Sequence, residues 1–263
     1  MRPGDSKGYR TGGFNANAPT GFQEFQPESL DNVEIGVKTD QNILGMKSRL
    51  NLAAFYGFYD NIQVQVTSAV PNPSGGPPLL QVLTQNAATA HISGVEAEFT
   101  IVPVESVELD ADVAYDYNKY DQWQSLNSAG QPQDLSGTPF QENPRWMTRI
   151  RGTYYLPIDE SRGKLSISAT WSYQSSQNNT AQLPVLPAYI TPGFDDLDLS
   201  LDWKDVWGEP GLDATVYGTN VLGNVMTNGP FGVYSALGIF GITPKAPPMW
   251  AVRLRYSFGG QGG

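Results

Sequence analysis

The sequence predicts an all-β fold, an antiparallel up-and-down transmembrane β-barrel, of which this chain supplies about nine strands. Three observations carry this. Apolar and polar residues alternate with a period of two along most of the chain. Many alternating runs reach about 10 residues, the length that crosses a bilayer as a tilted strand, whereas ordinary strands average about five or six. The connections between the runs alternate short and long, as they do in barrels with short turns at one rim and longer loops at the other.

The clearest run is 107–117. Val107, Leu109, Ala111, Val113, Tyr115 and Tyr117 share one parity, and Glu108, Asp110, Asp112, Ala114 and Asp116 share the other. A strand turns these sets to opposite faces, one apolar and aromatic-ended, one acidic. The split recurs as Leu165, Ile167, Ala169, Trp171 and Tyr173 against Lys164, Ser166, Ser168, Thr170 and Ser172. It recurs again as Leu197, Leu199, Leu201 and Trp203 against Asp196, Asp198, Ser200, Asp202 and Lys204. Trp250, Val252, Leu254, Tyr256 and Phe258 oppose Ala251, Arg253, Arg255 and Ser257, and Leu50, Leu52, Ala54, Tyr56 and Phe58 form a fifth apolar row. Weaker alternation marks 33–38, 95–101, 147–156 and 212–218. Connections fall near 40–46, 69–80, 102–105, 119–143, 157–163, 176–193, 207–211 and 221–247, in strict short–long order. Gly and Pro punctuate them, as in Trp207-Gly208-Glu209-Pro210-Gly211. The barrel part covers 1–258, followed by a Gly-rich tail at 259–263.

Composition narrows the function. Charged residues are 16% of the chain, against about 25% in soluble domains, and Gln, Asn, Ser, Thr and Gly take their place. A net charge of −10 with no basic cluster excludes nucleic acid as a partner. The absence of cysteine removes disulfides, thiolate metal sites and cysteine nucleophiles. No apolar run approaches the roughly 18 residues of a membrane helix.

No constellation for catalysis, cofactor or metal is read, and the chain is not read as an enzyme. His91 is the sole histidine and lacks obvious partners. Asp195, Asp196 and Asp198 suggest calcium, but alternation splits them between two faces. Glu96 with Glu98, or Asp110 with Asp112, are same-face neighbours common to any polar strand rather than a glycosidase pair. Asn178-Asn179-Thr180 matches a glycosylation sequon by chance.

The ordered motifs carry a family resemblance. Gly8-Tyr9-Arg10-Thr11-Gly12-Gly13-Phe14-Asn15, Phe25-Gln26-Pro27-Glu28 and Val33-Glu34-Ile35-Gly36-Val37-Lys38 are followed by Tyr59-Asp60-Asn61-Ile62-Gln63 and Gly94-Val95-Glu96-Ala97-Glu98. Near the end come Gly218-Thr219-Asn220-Val221-Leu222 and a closing strand from Trp250 through Tyr256 to Phe258. The series resembles the C-terminal barrel part of TonB-dependent receptors. The resemblance implies a bacterial outer-membrane location, a 22-stranded barrel filled by an N-terminal plug, and TonB-energised uptake of a siderophore-like or other large ligand. It also implies that Trp250, Tyr256 and Phe258 form the C-terminal signal read by the barrel assembly machinery, and that the long connections lie outside the cell.

Within this reading the apolar rows meet outer-membrane lipid, with Tyr115, Tyr117, Trp171, Tyr173, Trp203, Trp250 and Tyr256 at headgroup level. Asp110, Asp112, Asp116, Asp196, Asp198, Asp202, Arg253 and Arg255 line the lumen and face the plug. In the longest loops Trp123, Phe140, Phe231, Tyr234 and Phe240 are candidates to grip a ligand, with loop packing as the competing reading. An odd strand count and a start without an export signal imply that a plug, a TonB-contacting segment and further strands precede this chain. A plugless porin or diffusion channel, or a non-functional truncated barrel, is the alternative.

Overall fold

The computed structural model describes residues 2–258 except 17, 19, 73, 88, 128, 130, 181, 182, 184, 186, 226, 232–237, 239 and 240. In chain order the strands are β1 (Arg2–Arg10), β2 (Gly13–Phe14), β3 (Glu24–Phe25), β4 (Glu28–Ile43), β5 (Met46–Asp60), β6 (Gln63–Val70), β7 (Leu79–Asn86), β8 (Thr89–Val104), β9 (Val107–Gln122) and β10 (Gln124–Leu126). They continue with β11 (Pro132–Asp134), β12 (Trp146–Leu156), β13 (Lys164–Gln174), β14 (Gln177–Asn178), β15 (Ile190–Thr191), β16 (Phe194–Lys204), β17 (Leu212–Thr219), β18 (Thr227–Phe231), β19 (Gly241–Pro244) and β20 (Met249–Tyr256).

Ten of these form one antiparallel sheet in the order β1-β4-β5-β8-β9-β12-β13-β16-β17-β20. Each strand pairs with its neighbour in sequence once the short hairpin strands are set aside. The expectation of about nine wall strands is therefore one short: the sheet has ten, and the odd-count argument does not hold. The missed strand, β1, reads Arg-Pro-Gly-Asp-Ser-Lys-Gly-Tyr-Arg and has no hydrophobic alternation. Backbone pairing with β4 defines it, from Arg2 opposite Gly36 to Arg10 opposite Glu28, helped by a Lys7–Asp31 ion pair at 2.9 Å.

The connections alternate as expected. At one end β4–β5 and β8–β9 turn in two residues, Leu44-Gly45 and Glu105-Ser106, while 157–163 and 205–211 each carry a short 3-10 turn. Leu44 and Gly45 have φ of 52° and 84°, the left-handed pair a tight hairpin needs. At the other end every long connection carries its own two-stranded sheet: β2-β3, β6-β7, β10-β11, β14-β15 and β18-β19. The sequence reading ran β5 into β6 and β7 into β8 as single strands. The structure breaks the first at Asn61, whose φ is +54°.

The buried apolar cluster sits at that second end. Ile62, Val66, Val70, Leu83, Ala87, Ala90, Tyr120, Trp123 and Leu135 form it with Ala18, and Phe22, Tyr59, Val64, Phe140 and Leu183 pack around it. Tyr59, Ala90 and Tyr120 are successive register partners on β5, β8 and β9, on the same face as the acidic row. The long connections therefore fold toward the polar side of the sheet and build a cap there.

Candidate functional site

Register fixes the two faces of the wall. Cross-strand partners share a face, so the apolar rows join into one belt across the sheet. One line of it runs Val37–Leu52–Ala97–Val113 over β4, β5, β8 and β9, and another runs Trp171–Leu197 and Ala169–Leu199–Gly218–Trp250 over β13, β16, β17 and β20. The belt is solvent-accessible in the isolated chain: Val33 is 61% exposed and Val252 69%. A contiguous apolar surface of this extent marks contact with a non-aqueous medium or a partner.

Aromatic rings gather at both margins of the belt. On the cap side Tyr115 and Trp146 meet at 4.7 Å between centroids, and Trp171 stacks on Tyr173 at 6.1 Å. The ring of Tyr117 there lies under the Arg145 guanidinium at 5.2 Å. On the short-turn side Trp203 meets Trp207 edge to face at 5.2 Å, and Tyr256 meets Phe258 at 4.7 Å. The C-terminal signal candidates thus lie on this surface: Trp250 and Tyr256 on the apolar row of β20, and Phe258 just beyond it. The Trp250 ring covers Gly218, leaving no room for a Cβ there.

His91 lies on the belt side at the cap margin, between the rings of Tyr56 and Tyr117. Its Nδ1 is 2.9 Å from the Asp121 carboxylate. This places the sole histidine at a surface, with a carboxylate partner that sequence spacing did not reveal.

The opposite face is charged and polar, and all eight proposed lumen residues share it. Asp112 stands opposite Glu98 on β8 and Arg149 on β12, and Asp110 opposite Thr100 and Arg151. Asp110 accepts from the Thr100 hydroxyl at 2.8 Å, and Glu98 accepts from the Asn51 amide at 2.8 Å. Asp116 accepts from the Asn143 amide at 3.0 Å. Asp198 accepts the backbone N–H of Asn220 at 3.0 Å, which ties the end of β17 to β16. Asp196 faces Ser172. Asp202 accepts from Ser200 at 2.7 Å and Thr215 at 2.9 Å, and Ser200 and Ser168 share a hydrogen bond of 2.7 Å. Arg253 lies opposite Thr215, and Arg255 opposite Asp213.

Alternation missed Arg149, Arg151 and Glu34 as members of this face. The run of Arg149 and Arg151 was weak because Thr148 and Gly152 interrupt the apolar row of β12. The parity of Ile150 and Tyr154 was the available signal. Among the described residues, Arg49–Asp40 at 2.7 Å is the only ion pair on this face. Arg149, Arg151 and Arg255 stand opposite carboxylates in register without closing an ion pair on them.

The loop candidates divide. Trp123 is 1% exposed, with its ring 4.5 Å from Tyr120, and Phe140 lies 4.7 Å from Tyr120 and 6.1 Å from Tyr59. These two rings hold the cap together. The burial of Trp123 and the partial burial of Phe140 fit the loop-packing reading of these two residues. Phe231 ends β18, and Tyr234 and Phe240 lie outside the described residues, as does the 259–263 tail.

In the cap, Asp134 has its carboxyl held below the usual range by the hydroxyl and N–H of Ser136. At the short-turn end, Asp159 is lowered in the same way by Ser161. Among the described residues no group of three or more His, Cys, Asp or Glu side chains is arranged to hold a metal ion.

Comparisons with known proteins agree with this architecture. Residues 4–221 match the family model described as TonB-dependent receptor-like β-barrel. Comparison with curated proteins found no match. Among solved structures, the ferric yersiniabactin uptake receptor FyuA from Yersinia pestis superposes with a TM-score of 0.69 at 15% identity, covering 97% of this chain and 34% of that one. The copper transporter OprC gives 0.70 at 16% identity, covering 97% and 36%. The siderophore receptor PiuA from Acinetobacter baumannii gives 0.67 at 16% identity, covering 97% and 33%. At these identities the likeness is one of fold, and the chain spans about a third of each structure.

Proposed function

The chain belongs to the TonB-dependent receptor β-barrel family, and on that premise we propose that it forms part of the barrel wall of a bacterial outer-membrane receptor. That receptor takes up a scarce nutrient, siderophore-like or another large ligand, with energy from TonB. The observation that carries this reading is the two-faced wall. An aromatic-edged apolar belt on one face suits acyl chains and headgroups. On the other, charged rows that close only one internal ion pair among the described residues, Arg49–Asp40, suit a removable partner in the lumen.

In this reading the partner is the plug. Asp110, Asp112, Asp116, Asp196, Asp198, Asp202, Arg253 and Arg255, joined by Arg149 and Arg151, hold it through solvent-accessible contacts worth roughly 0–1 kcal/mol each. Contacts this weak let a plug shift under the pull of TonB. The long connections face outward from the cell and frame the ligand entrance. Outer-membrane lipid meets the belt, and the barrel assembly machinery reads the strand from Trp250 to Phe258. No cofactor, catalytic group or resident metal enters this mechanism.

The test is uptake of ferric siderophores by cells carrying the gene in its natural context, with and without TonB. Loss of accumulation without TonB, with the protein still in the outer-membrane fraction, is the expected result. Equal accumulation in both strains would favour a plugless diffusion channel, for which unpaired lumenal charges are also suited. Recovery of the protein in the soluble fraction would sink both readings.

A further inference from the structure

We propose that His91 and Asp121 form a clasp at the junction of wall and cap, and that this clasp seats Trp123 in the cap core by holding a bulge in β9. The inference rests on the fold alone, whatever medium meets the belt. Both residues lie at the cap end of their strands. Up to that point the register of β8 and β9 is regular, with His91 opposite Lys119 and Ala90 opposite Tyr120. The next pair is Thr89 opposite Gln122, so Asp121 is an extra residue in β9 without a register partner on β8.

One extra residue reverses the parity of everything after it. Before the bulge the buried positions are even, Asn118 and Tyr120; after it they are odd, Trp123 and Ser125. Tyr120 and Trp123 are three residues apart, and a regular strand would turn them to opposite faces. The bulge turns both inward, where their rings meet at 4.5 Å. The backbone of Trp123 is fastened there as well. Its N–H donates to the Ser136 hydroxyl at 2.9 Å, and its carbonyl accepts the Leu135 N–H at 2.9 Å. A regular register would swing Trp123 to the belt side and take it out of the core.

A bulge disrupts the ladder locally, and the His91 side chain supplies the hold that the ladder loses. Its Nδ1 lies 2.9 and 3.1 Å from the two carboxylate oxygens of Asp121. A carboxylate only accepts, so this ring nitrogen carries a proton and donates. The rings of Tyr56 and Tyr117, at 6.2 and 5.9 Å, flank the imidazole and fix its orientation. Lys119 brings a second donor to within 3.9 Å of the same carboxylate. The clasp lies on the belt side of the sheet, and the indole that it positions lies on the other. His91 and Asp121 therefore act on Trp123 through the path of the backbone.

The full chain in detergent micelles, labelled with 5-fluorotryptophan, tests this by fluorine NMR. The resonance missing from Trp123→Phe identifies Trp123. A soluble paramagnetic chelate is expected to leave that resonance sharp in the unaltered chain. His91→Phe keeps a ring between Tyr56 and Tyr117 but removes the donor. There the relaxation that the chelate induces at Trp123 should rise about tenfold, the scale of one lost hydrogen bond to a charged group, with Trp171 and Trp203 in the wall unchanged. Asp121→Ala should do the same. His91→Gln, whose amide can still donate, should restore part of the protection. A Trp123 signal as protected in His91→Phe and Asp121→Ala as in the unaltered chain would overturn the clasp. Equal broadening of the wall tryptophans, without recovery in His91→Gln, would overturn it too, because the pair would then support the whole sheet rather than the cap.

Discussion

In the cap, Trp123 and Leu83 are each 1% exposed; on the apolar face of the wall, Val252 and Leu254 are 69% and 73% exposed. One chain thus stabilises two regions by opposite means. The cap buries apolar side chains inside protein, as a water-soluble domain does. The wall satisfies its backbone through strand pairing and leaves its apolar side chains for a medium outside the protein, which is the requirement lipid imposes. Hydrophobic residues consequently need different tests at the two sites. In the cap they answer to volume, and in the wall to polarity.

The largest effect that would sharpen this contrast is expected from Trp123→Ala. Emptying a fully enclosed indole site costs about 3–5 kcal/mol. The loss should be confined to the cap, read as faster amide exchange at Leu135 and Asn127 with the wall amides unchanged. Uniform loss across both regions would mean that cap and wall do not behave as separate units. Next is Leu199→Arg, in the middle of the belt, with an expected cost of about 2–4 kcal/mol in a bilayer. Ser200→Arg, one residue on and facing the other way, should cost much less. Urea unfolding in vesicles compares them, and equal costs would contradict the assignment of faces.

Gly94→Ala is expected to cost about 1–3 kcal/mol. An added Cβ meets the Tyr115 carbonyl oxygen at 2.5 Å and the Phe55 ring at 2.6 Å. Restoring space with Phe55→Leu in the same chain should recover only part of the loss, since the backbone contact remains. The smallest effect concerns pH. Asp134 has its folded pKa depressed by Ser136, so its contribution is present above the ordinary carboxylate value of about 4 and is lost as pH falls through the folded value. Cap amide protection, corrected for the intrinsic exchange rate, should therefore hold from neutral pH down to about 4 and weaken progressively below it. Asp134→Asn should remove that acid dependence without altering the wall.

Legibility in the sequence follows the same division. The wall was readable because one buried or lipid-facing side forces a period of two, and because connection lengths alternate with it. That reading located most wall strands, the order of short and long connections, and both rows containing Asp110 and Asp202. It failed where no such force acts. β1 is held by backbone pairing and has no apolar face to announce it. The cap failed for another reason. Trp123 sits among Gln, Ser and Asn, which reads as a solvated loop, and only the fold of β6, β7 and β9 around it shows an interior. Arg149 and Arg151 were hidden by Thr148 and Gly152, small residues that dilute the alternation of β12. Trp207 was visible only as turn punctuation.

The two-residue turns Leu44-Gly45 and Glu105-Ser106 have a consequence for how the molecule is made. Every wall strand pairs with its neighbour along the chain, so no pairing has to wait for a segment synthesised much later. Hairpins such as β4–β5 and β8–β9 close over a few residues, and the slower closures span only the lengths of the capped loops. Assembly can then proceed as stepwise addition of preformed hairpins, each presenting the edge on which the next is registered.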